Sequence, residues 1–379
     1  MTKNKLNSKV KAQLDKWFAK VEEKAGTFIG YPCNLDFDYS ELFRFLKYPI
    51  NNVGDPYISS NYQVNTHEVE REVLKFFAKI LHAGKDYWGY VTSGGTEGNM
   101  YGLYLARELH PNGIFYYSED THYSVTKILR ILNVTSIMIR SLPNGEIDYA
   151  DLKKTIEIKR DHPPIIMANI GTTMKGAIDN ISEINKILKE LGEPDHYIHC
   201  DAALHGMMLP FIKDAPAFDF AAGVNSISIS GHKFIGSPLP CGVVLAKKHL
   251  VDAIATAIEY VGSLDTTLTG SRNAITPIFL WYAIQQKGRA GFKDMVNSCL
   301  DVSDYTLYQF HKYGWPAWKN EYSNIVYFKR PADKLVEKWQ LAVYKNIAHL
   351  VIMPHVNTKW IDRFMVDFEK YATFSSQGR

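Results

Sequence analysis

The sequence predicts an α/β protein with a large domain built on a mainly parallel sheet and a small C-terminal α+β domain. The 379 residues are more than one small core needs. From residue 87 onward, short apolar runs alternate with runs of helical periodicity, which is typical of parallel strands covered by helices on both faces. The pattern changes at about residue 290 to a helix, short strands and further helices. We therefore expect an N-terminal segment (1–60), a large domain (61–285) and a small domain (286–379).

The first predicted element is an amphipathic helix over residues 5–22. Its apolar side chains recur at helical spacing and are Leu6, Val10, Leu14, Trp17, Phe18 and Val21. We expect this stripe to pack either on its own chain or on a second copy of it. Another helix is predicted after residue 65, where Asn65 and Glu68 have the spacing of a capping box.

The strands of the sheet are predicted from short apolar runs. These runs cover residues 114–117, 135–139, 164–169, 197–201, 226–230 and 241–246. Helices are predicted over 123–132 and 181–191, and in the small domain a helix over 292–314 precedes a strand over 324–328. Parallel sheets bind ligands at the carboxyl ends of their strands, so residues just after these runs are candidates for a functional site.

Composition argues against several classes of protein. The net charge is +3 and no basic block stands out, so we expect neither nucleic acid nor a membrane surface as a partner. The N-terminal residues are polar and no apolar run approaches transmembrane length. The four cysteines are widely spaced and form no CxxC pair. We interpret them as reduced thiols of a cytoplasmic protein that has no structural metal site.

A turn rich in glycine and hydroxyl residues opens a predicted helix at residues 92–99 (TSGGTEGN). Glycine lets the backbone approach a phosphate closely, and the amides of a helix N-terminus favour an anion. The lysine of a Walker loop is absent, so a nucleotide site of that kind is not predicted. Taken alone, the turn is better explained as an ordinary helix cap.

Two further segments carry chemistry at the ends of predicted strands. In HCDAA (199–203), a carboxylate at Asp201 suits the protonated ring nitrogen of pyridoxal phosphate, and Ala203 is small enough for a flat ring to lie over it. In SGHK (230–233), the amine of Lys233 can form an imine with an aldehyde, and Ser230 and His232 can bind phosphate. The stretch from Asp201 to Lys233 has the length of one strand–helix–strand unit, which places both on neighbouring strand ends. Together with the glycine-rich turn, these residues predict a pyridoxal-phosphate site.

The order TSGGTEGN, HCDAA and SGHK resembles the group II pyridoxal-phosphate-dependent amino-acid decarboxylases over most of the chain. Seven further stretches are similar to the bacterial histidine decarboxylases of that group: IGYP (29–32), WGYVT (88–92), DTHYS (120–124), PNGEIDY (143–149), NIGTT (169–173), GSPLPCG (236–242) and TGSRN (269–273). The resemblance implies the aspartate-aminotransferase-like fold, fold type I. It also implies decarboxylation of L-histidine to histamine and CO2 through an external aldimine and a quinonoid.

The resemblance also implies a role for each site residue. Lys233 is the Schiff-base lysine, Asp201 the partner of the pyridine nitrogen, and His122 the ring that stacks on the cofactor beside the substrate. These three are the implied catalytic residues. The other implied cofactor contacts are Ser93, Gly94, Gly95 and Thr96 in the phosphate loop, Ser230 and His232, which complete it, and Thr172 and Thr173 near the phenolic oxygen.

The substrate side is less sharply predicted. Candidate substrate contacts are His122, Tyr31, Ser323 and Tyr39, and for Tyr39 and Ser323 packing or a solvated loop is the favoured explanation. His205 stands where relatives carry a small residue, and we interpret it as a helix-surface residue without a role.

Alternative reactions and partners remain open. The substrate alternatives are serine or an aromatic amino acid, because plant serine decarboxylases share many of these motifs. Transamination and desulfuration are alternative reactions, although Cys241, which we expect to be buried at the start of a strand, argues against desulfuration. The fold implies at least a homodimer, with the N-terminal helix as a candidate for clasping the partner. The TGSRN stretch is either an interface or phosphate-side loop or a plain connection.

Overall fold

The computed structural model describes residues 7–59, 61–254, 256–258 and 263–371. The α-helices are α1 (Ser8–Ala25), α2 (His67–Ile80), α3 (Gly95–Leu109), α4 (Ser124–Ile131), α5 (Tyr149–Ile158), α6 (Ile181–Leu191), α7 (Lys248–Asp252), α8 (Ile275–Lys312), α9 (Asp333–Trp339) and α10 (Thr358–Tyr371). The strands are β1 (Trp88–Thr92), β2 (Ile114–Ser118), β3 (Ser136–Ile139), β4 (Pro164–Asn169), β5 (Tyr197–Asp201), β6 (Ser226–Ser230), β7 (Gly242–Ala246), β8 (Thr256–Ile258), β9 (Ser263–Asp265), β10 (Ala317–Lys319), β11 (Ile325–Lys329), β12 (Ala342–Tyr344) and β13 (Ile347–Val351).

The large sheet has seven strands in the order β1-β7-β6-β5-β4-β2-β3. The pairs from β6 to β3 are parallel, whereas β7 runs antiparallel to both β1 and β6. The register places Asp201 beside Ser228, so the ends of β5 and β6 lie at one edge of the sheet. The predicted α/β class with a mainly parallel large sheet is confirmed.

Apolar runs form these strands because both faces of the sheet are covered. All six residues of β4 are buried. Along this strand Ile165 and Met167 pack into one core cluster, while Ile166 and Ala168 pack into the cluster on the opposite face. A strand with two buried faces needs apolar residues at successive positions rather than at alternate ones.

A four-stranded antiparallel sheet, in the order β10-β11-β13-β12, follows the long helix α8. The helix predicted to begin at residue 292 is wrong at its start, because α8 begins at Ile275. The backbone of Gly288 is non-helical, with φ 58° and ψ −175°, which divides α8 into two parts. Glycine adopts such a conformation without the steric cost that a β-carbon adds.

The N-terminal helix α1 leaves its apolar side chains exposed. The prediction placed its start at residue 5, and residues 5 and 6 lie outside the described part of the chain. No residue of α1 is buried, and the relative exposures of Trp17 and Phe18 are 59% and 69%. Its last turn is tied to the C-terminal part of the chain, since the side-chain amide of Gln340 donates to the carbonyl of Lys24 at 2.7 Å.

The TGSRN stretch contributes a buried ion pair. The guanidinium of Arg272 contacts the carboxylate of Glu70 in α2 at 2.5 Å, and both side chains are almost fully buried. The same carboxylate accepts from the amide of Val91 at 2.8 Å and from Asn52 at 2.7 Å. Arg272 also donates to the carbonyl of Gly54 at 2.8 Å. These contacts join the N-terminal segment, α2, β1 and the residue-272 loop around one charge pair.

None of the helices in the described ranges is long and apolar enough to cross a membrane. All four thiols are free, and Cys241 is fully buried.

Candidate active site

A cavity of about 410 Å³ opens at the carboxyl ends of β4, β5 and β6. Its wall is built from loops that follow these strands, from the start of α3 and from the small sheet. The predicted site residues that line it are Tyr31, Gly95, Thr96, His122, Thr172, Thr173, Asp201, Ala203, Ser230, His232 and Lys233. The fold therefore gathers eleven scattered positions around one space.

Four predicted residues do not line this cavity, and one of them, Tyr39, is buried with its ring centroid 5.0 Å from that of Phe279. Ser93 is exposed, and its amide donates to the carboxylate of Glu97 at 2.7 Å. Gly94 precedes the first residue of α3, and its carbonyl accepts from the hydroxyl of Thr92 at 2.9 Å. Ser323 is completely buried behind the wall, where its hydroxyl accepts from the amide of Ile325 at 3.1 Å.

His205 is not the surface residue that the sequence predicts. Its side chain is completely buried, and Nε2 lies 3.2 Å from the hydroxyl of Ser323. A β-carbon on Gly171 would come within 1.9 Å of His205 Nδ1, so the imidazole fills the space directly against that glycine. Burial lowers the pKa of His205 to about 3, and the positive charge of Lys233 makes a smaller contribution in the same direction. The ring is therefore neutral at physiological pH.

Lys233 lies in the turn after β6, and its side chain enters the cavity wall. Burial lowers the pKa of the Lys233 amine, because the ammonium loses hydration, while Asp201 and Cys33 oppose that shift. A lowered pKa increases the fraction of free amine, which is the form that attacks an aldehyde.

Asp201 ends β5 and has both carboxylate oxygens engaged. Oδ1 accepts from the amide of Ala203 at 3.1 Å. Oδ2 accepts from the side-chain amide of Asn99 at 2.8 Å. These two bonds fix the plane of the carboxylate at the cavity wall.

His122 follows β2 and presents a neutral ring to the cavity. Burial lowers its pKa, Asp201 raises it, and Lys233 and Lys127 lower it further. Nδ1 lies 2.8 Å from the hydroxyl of Ser124, and the backbone amide of Ser124 lies 3.3 Å from the same nitrogen, so both groups hold the ring in place. The ring also lies against Tyr123, with centroids 4.4 Å apart.

The two predicted threonines follow β4. Thr172 is buried, and its hydroxyl accepts from the amide of Ala177 at 3.0 Å, which closes the loop. Thr173 is exposed to the cavity. Gly171 precedes them with φ 103°, a conformation that strongly favours glycine.

The donor set at the start of α3 fits a phosphate. Gly95 is the first residue of this 15-residue helix, and its amide and that of Thr96 belong to the unpaired helix N-terminus. A β-carbon on Gly95 would lie 2.7 Å from the hydroxyl of Ser230, so only glycine leaves this space open. An anion cradle, a carboxylate, an amine and a neutral ring around one cavity are the groups that pyridoxal phosphate needs.

The sequence interpretation missed several residues of the wall. Asn99 is one of them, although its position four residues after Gly95 on α3 places both on one helix face. His349 and Ile325 come from the small sheet. Their approach depends on how that sheet meets the large one, and no local pattern in the sequence signals it.

The chain is similar to known proteins over most of its length. The pyridoxal-dependent decarboxylase conserved domain matches residues 49–314. A histidine decarboxylase of Vibrio anguillarum is 46% identical over 356 residues, which cover 93% of this chain and 92% of the relative. A histidine decarboxylase of Morganella morganii is 47% identical over 368 residues, which cover 95% of this chain and 97% of the relative.

Solved structures show the same fold. The crystal structure of L-methionine decarboxylase from Streptomyces sp. 590, in complex with L-methionine methyl ester, superposes with a TM-score of 0.89 and 26% identity. The superposition covers 97% of this chain and 95% of that one. From the domain match, the relatives and the cavity that fits pyridoxal phosphate, we conclude that the chain belongs to the pyridoxal-dependent decarboxylase family and is a pyridoxal-phosphate-dependent carboxy-lyase.

Proposed function

We propose that this carboxy-lyase converts L-histidine to histamine and CO2. We base the proposed substrate on the sequence identity of 46% and 47% to two histidine decarboxylases over more than nine-tenths of the chain. The cavity supports the reaction type, because it brings together an amine, a carboxylate and a neutral ring at one sheet edge.

Each proposed catalytic residue has a distinct task. Pyridoxal phosphate, when bound, accepts the electrons of the breaking Cα–carboxylate bond into its ring. Lys233 would supply the amine that holds the cofactor and that displaces the product. Asp201 holds the proton on the pyridine nitrogen. The neutral ring of His122 covers one face of the site and excludes water.

The cofactor is anchored at its phosphate end by the start of α3. Backbone amides of Gly95 and Thr96 donate to the phosphate, and Ser230 and His232 complete the cradle. We propose that Ser93 and Gly94 shape this turn from outside the cavity. Ala203 leaves room beneath the ring, while Thr172 and Thr173 line the side of the phenolic oxygen.

The proposed substrate contacts are His122 and Tyr31. Tyr31 is 45% exposed at the cavity wall and stacks on Phe28 with centroids 5.6 Å apart. Ser323 lies behind the wall with no exposed surface, so we propose no direct contact between it and the substrate.

The exposed stripe of α1 supports a homodimer or higher homo-oligomer. Large apolar side chains that stay exposed on one chain commonly mark an interface. We propose that α1 packs on the partner subunit. The four free thiols suit a reducing compartment, so we propose a cytoplasmic enzyme. We also propose that the small domain begins near residue 286, close to the interruption of α8 at Gly288.

Substrate choice is tested by incubating the purified protein and pyridoxal phosphate with each of the twenty amino acids and measuring CO2. We expect release from histidine alone, and release from serine alone would overturn the substrate. Lys233→Ala should abolish release. Lys247→Ala is the matched control, because Lys247 follows the antiparallel strand β7 and therefore lies at the opposite edge of the sheet.

A further inference from the structure

We propose that Asn99 and His199 are positioning residues for Asp201. They hold it through a relay, which is a chain of hydrogen bonds in which each proton has a single position. The relay continues to Ser226 and ends at Tyr197. It runs from the cavity wall into the buried interior, along α3, β5 and β6.

The carboxylate of Asp201 fixes which groups of the relay donate and which accept. Ionised Asp201 accepts hydrogen bonds and donates none, so the group of Asn99 that lies 2.8 Å from Oδ2 is its NH₂. The carbonyl oxygen of Asn99 must then face the other way. It lies 3.1 Å from Nε2 of His199 and can only accept, which places the imidazole proton on Nε2.

The remaining protons follow from a neutral imidazole. His199 is completely buried, and burial lowers its pKa to about 4 despite the opposing charge of Asp201. Because Nε2 carries the one ring proton, Nδ1 accepts from the hydroxyl of Ser226 at 2.7 Å. Because the hydroxyl proton of Ser226 is donated to His199, the oxygen of Ser226 accepts from the hydroxyl of Tyr197 at 2.8 Å.

The imidazole has no room to turn. A β-carbon on Gly102 would lie 2.2 Å from His199 Nδ1, so α3 passes directly over the ring. Rotating the ring would exchange a donor for an acceptor at both neighbours, and each would lose its bond. A buried polar group without a partner costs about 1–3 kcal/mol, which favours the single arrangement.

The consequence for catalysis rests on the proposed role of Asp201. A fixed carboxylate meets the pyridine nitrogen in one orientation, without reorganisation during the reaction. Loss of the Asn99 donor frees Oδ2 and leaves His199 without its acceptor. The effect should therefore appear in kcat more strongly than in KM.

The first test measures the tautomer of His199 in the holoenzyme by ¹⁵N NMR of histidine-labelled protein. The signal is assigned by its absence in His199→Gln. We expect a neutral ring protonated on Nε2 from pH 6 to pH 8. A ring protonated on Nδ1, or on both nitrogens, would overturn the relay. This readout does not depend on which amino acid the enzyme decarboxylates, so it stands apart from a failure of the proposed substrate.

The second test compares two variants of buried side chains. Asn99→Leu should lower kcat by about tenfold or more, with KM changed less than about threefold. Tyr116→Phe is the control, since the hydroxyl of Tyr116 is buried without a partner in the described chain, and its kcat should stay at the wild-type value. Equal kcat for Asn99→Leu and wild type would refute the positioning role.

Discussion

His205 makes the stability of this enzyme sensitive to acid, and replacing it by glutamine should remove the part of that sensitivity that this residue contributes. The imidazole is completely buried, and its pKa in the folded protein is about 3. In the unfolded chain a histidine titrates at about 6.5. A histidine whose folded pKa is depressed stabilises the fold above the unfolded value, and this contribution is lost as the pH falls below it.

The expected magnitude follows from proton uptake between pH 7 and pH 5. Over this interval the unfolded histidine goes from about one-quarter protonated to almost fully protonated, while the folded one stays neutral. The free energy of unfolding should therefore fall by about 2 kcal/mol on account of His205 alone. This figure holds for any folded pKa well below 5. Glutamine cannot titrate, and it keeps an amide that can contact Ser323.

Urea unfolding at the two pH values measures this effect. Wild type should lose about 2 kcal/mol more than His205→Gln between pH 7 and pH 5. The other buried histidines are common to both proteins, so the difference isolates His205. His162→Gln, at an exposed histidine, should behave as wild type does. If His205→Gln lost as much stability as wild type, the imidazole would not be buried in neutral form.

Three further predictions test the site, the loop beside it and the interface. Asp201→Asn should lower kcat by about 100-fold or more with little change in cofactor affinity, since its task is electronic; CO2 release and a fluorescence titration with pyridoxal phosphate measure the two. Gly171→Ala should destabilise the fold by about 2–4 kcal/mol, because φ is 103° and the added carbon would meet the buried ring of His205. Thermal unfolding measures this loss, and Gly270→Ala is the control because its added carbon meets open space. Trp17→Ser should weaken subunit association by about tenfold or more, as sedimentation at decreasing concentration would show, and unchanged association would argue against α1 as an interface.

The strands of the large sheet could be predicted closely. Four predicted elements, 164–169, 181–191, 197–201 and 226–230, have the bounds that the structure shows. Strands buried on both faces require continuous apolar runs, and such runs are visible without knowledge of the fold. The long helix α8 was less predictable, because it continues beyond the non-helical Gly288.

The residues of the site also differ in how far they could be predicted from the sequence. Lys233, Asp201 and His122 follow strands directly, so their place at the sheet edge comes from local pattern and chain connectivity. Asn99 stands in a recognisable motif, yet its partner is Asp201 on another element. His205 looked like a surface residue because nothing near it in sequence reveals what covers it.

The sequence by itself determined the sheet, the cofactor class and the residues proposed to carry the chemistry. Each of these follows from short-range order, since side-chain periodicity and strand ends are local properties. Only the tertiary structure decided that His205 is buried, that Ser323 lies behind the wall and that His349 of the small sheet reaches the cavity. Those contacts join segments far apart in the chain, and their energy depends on packing that no single segment encodes.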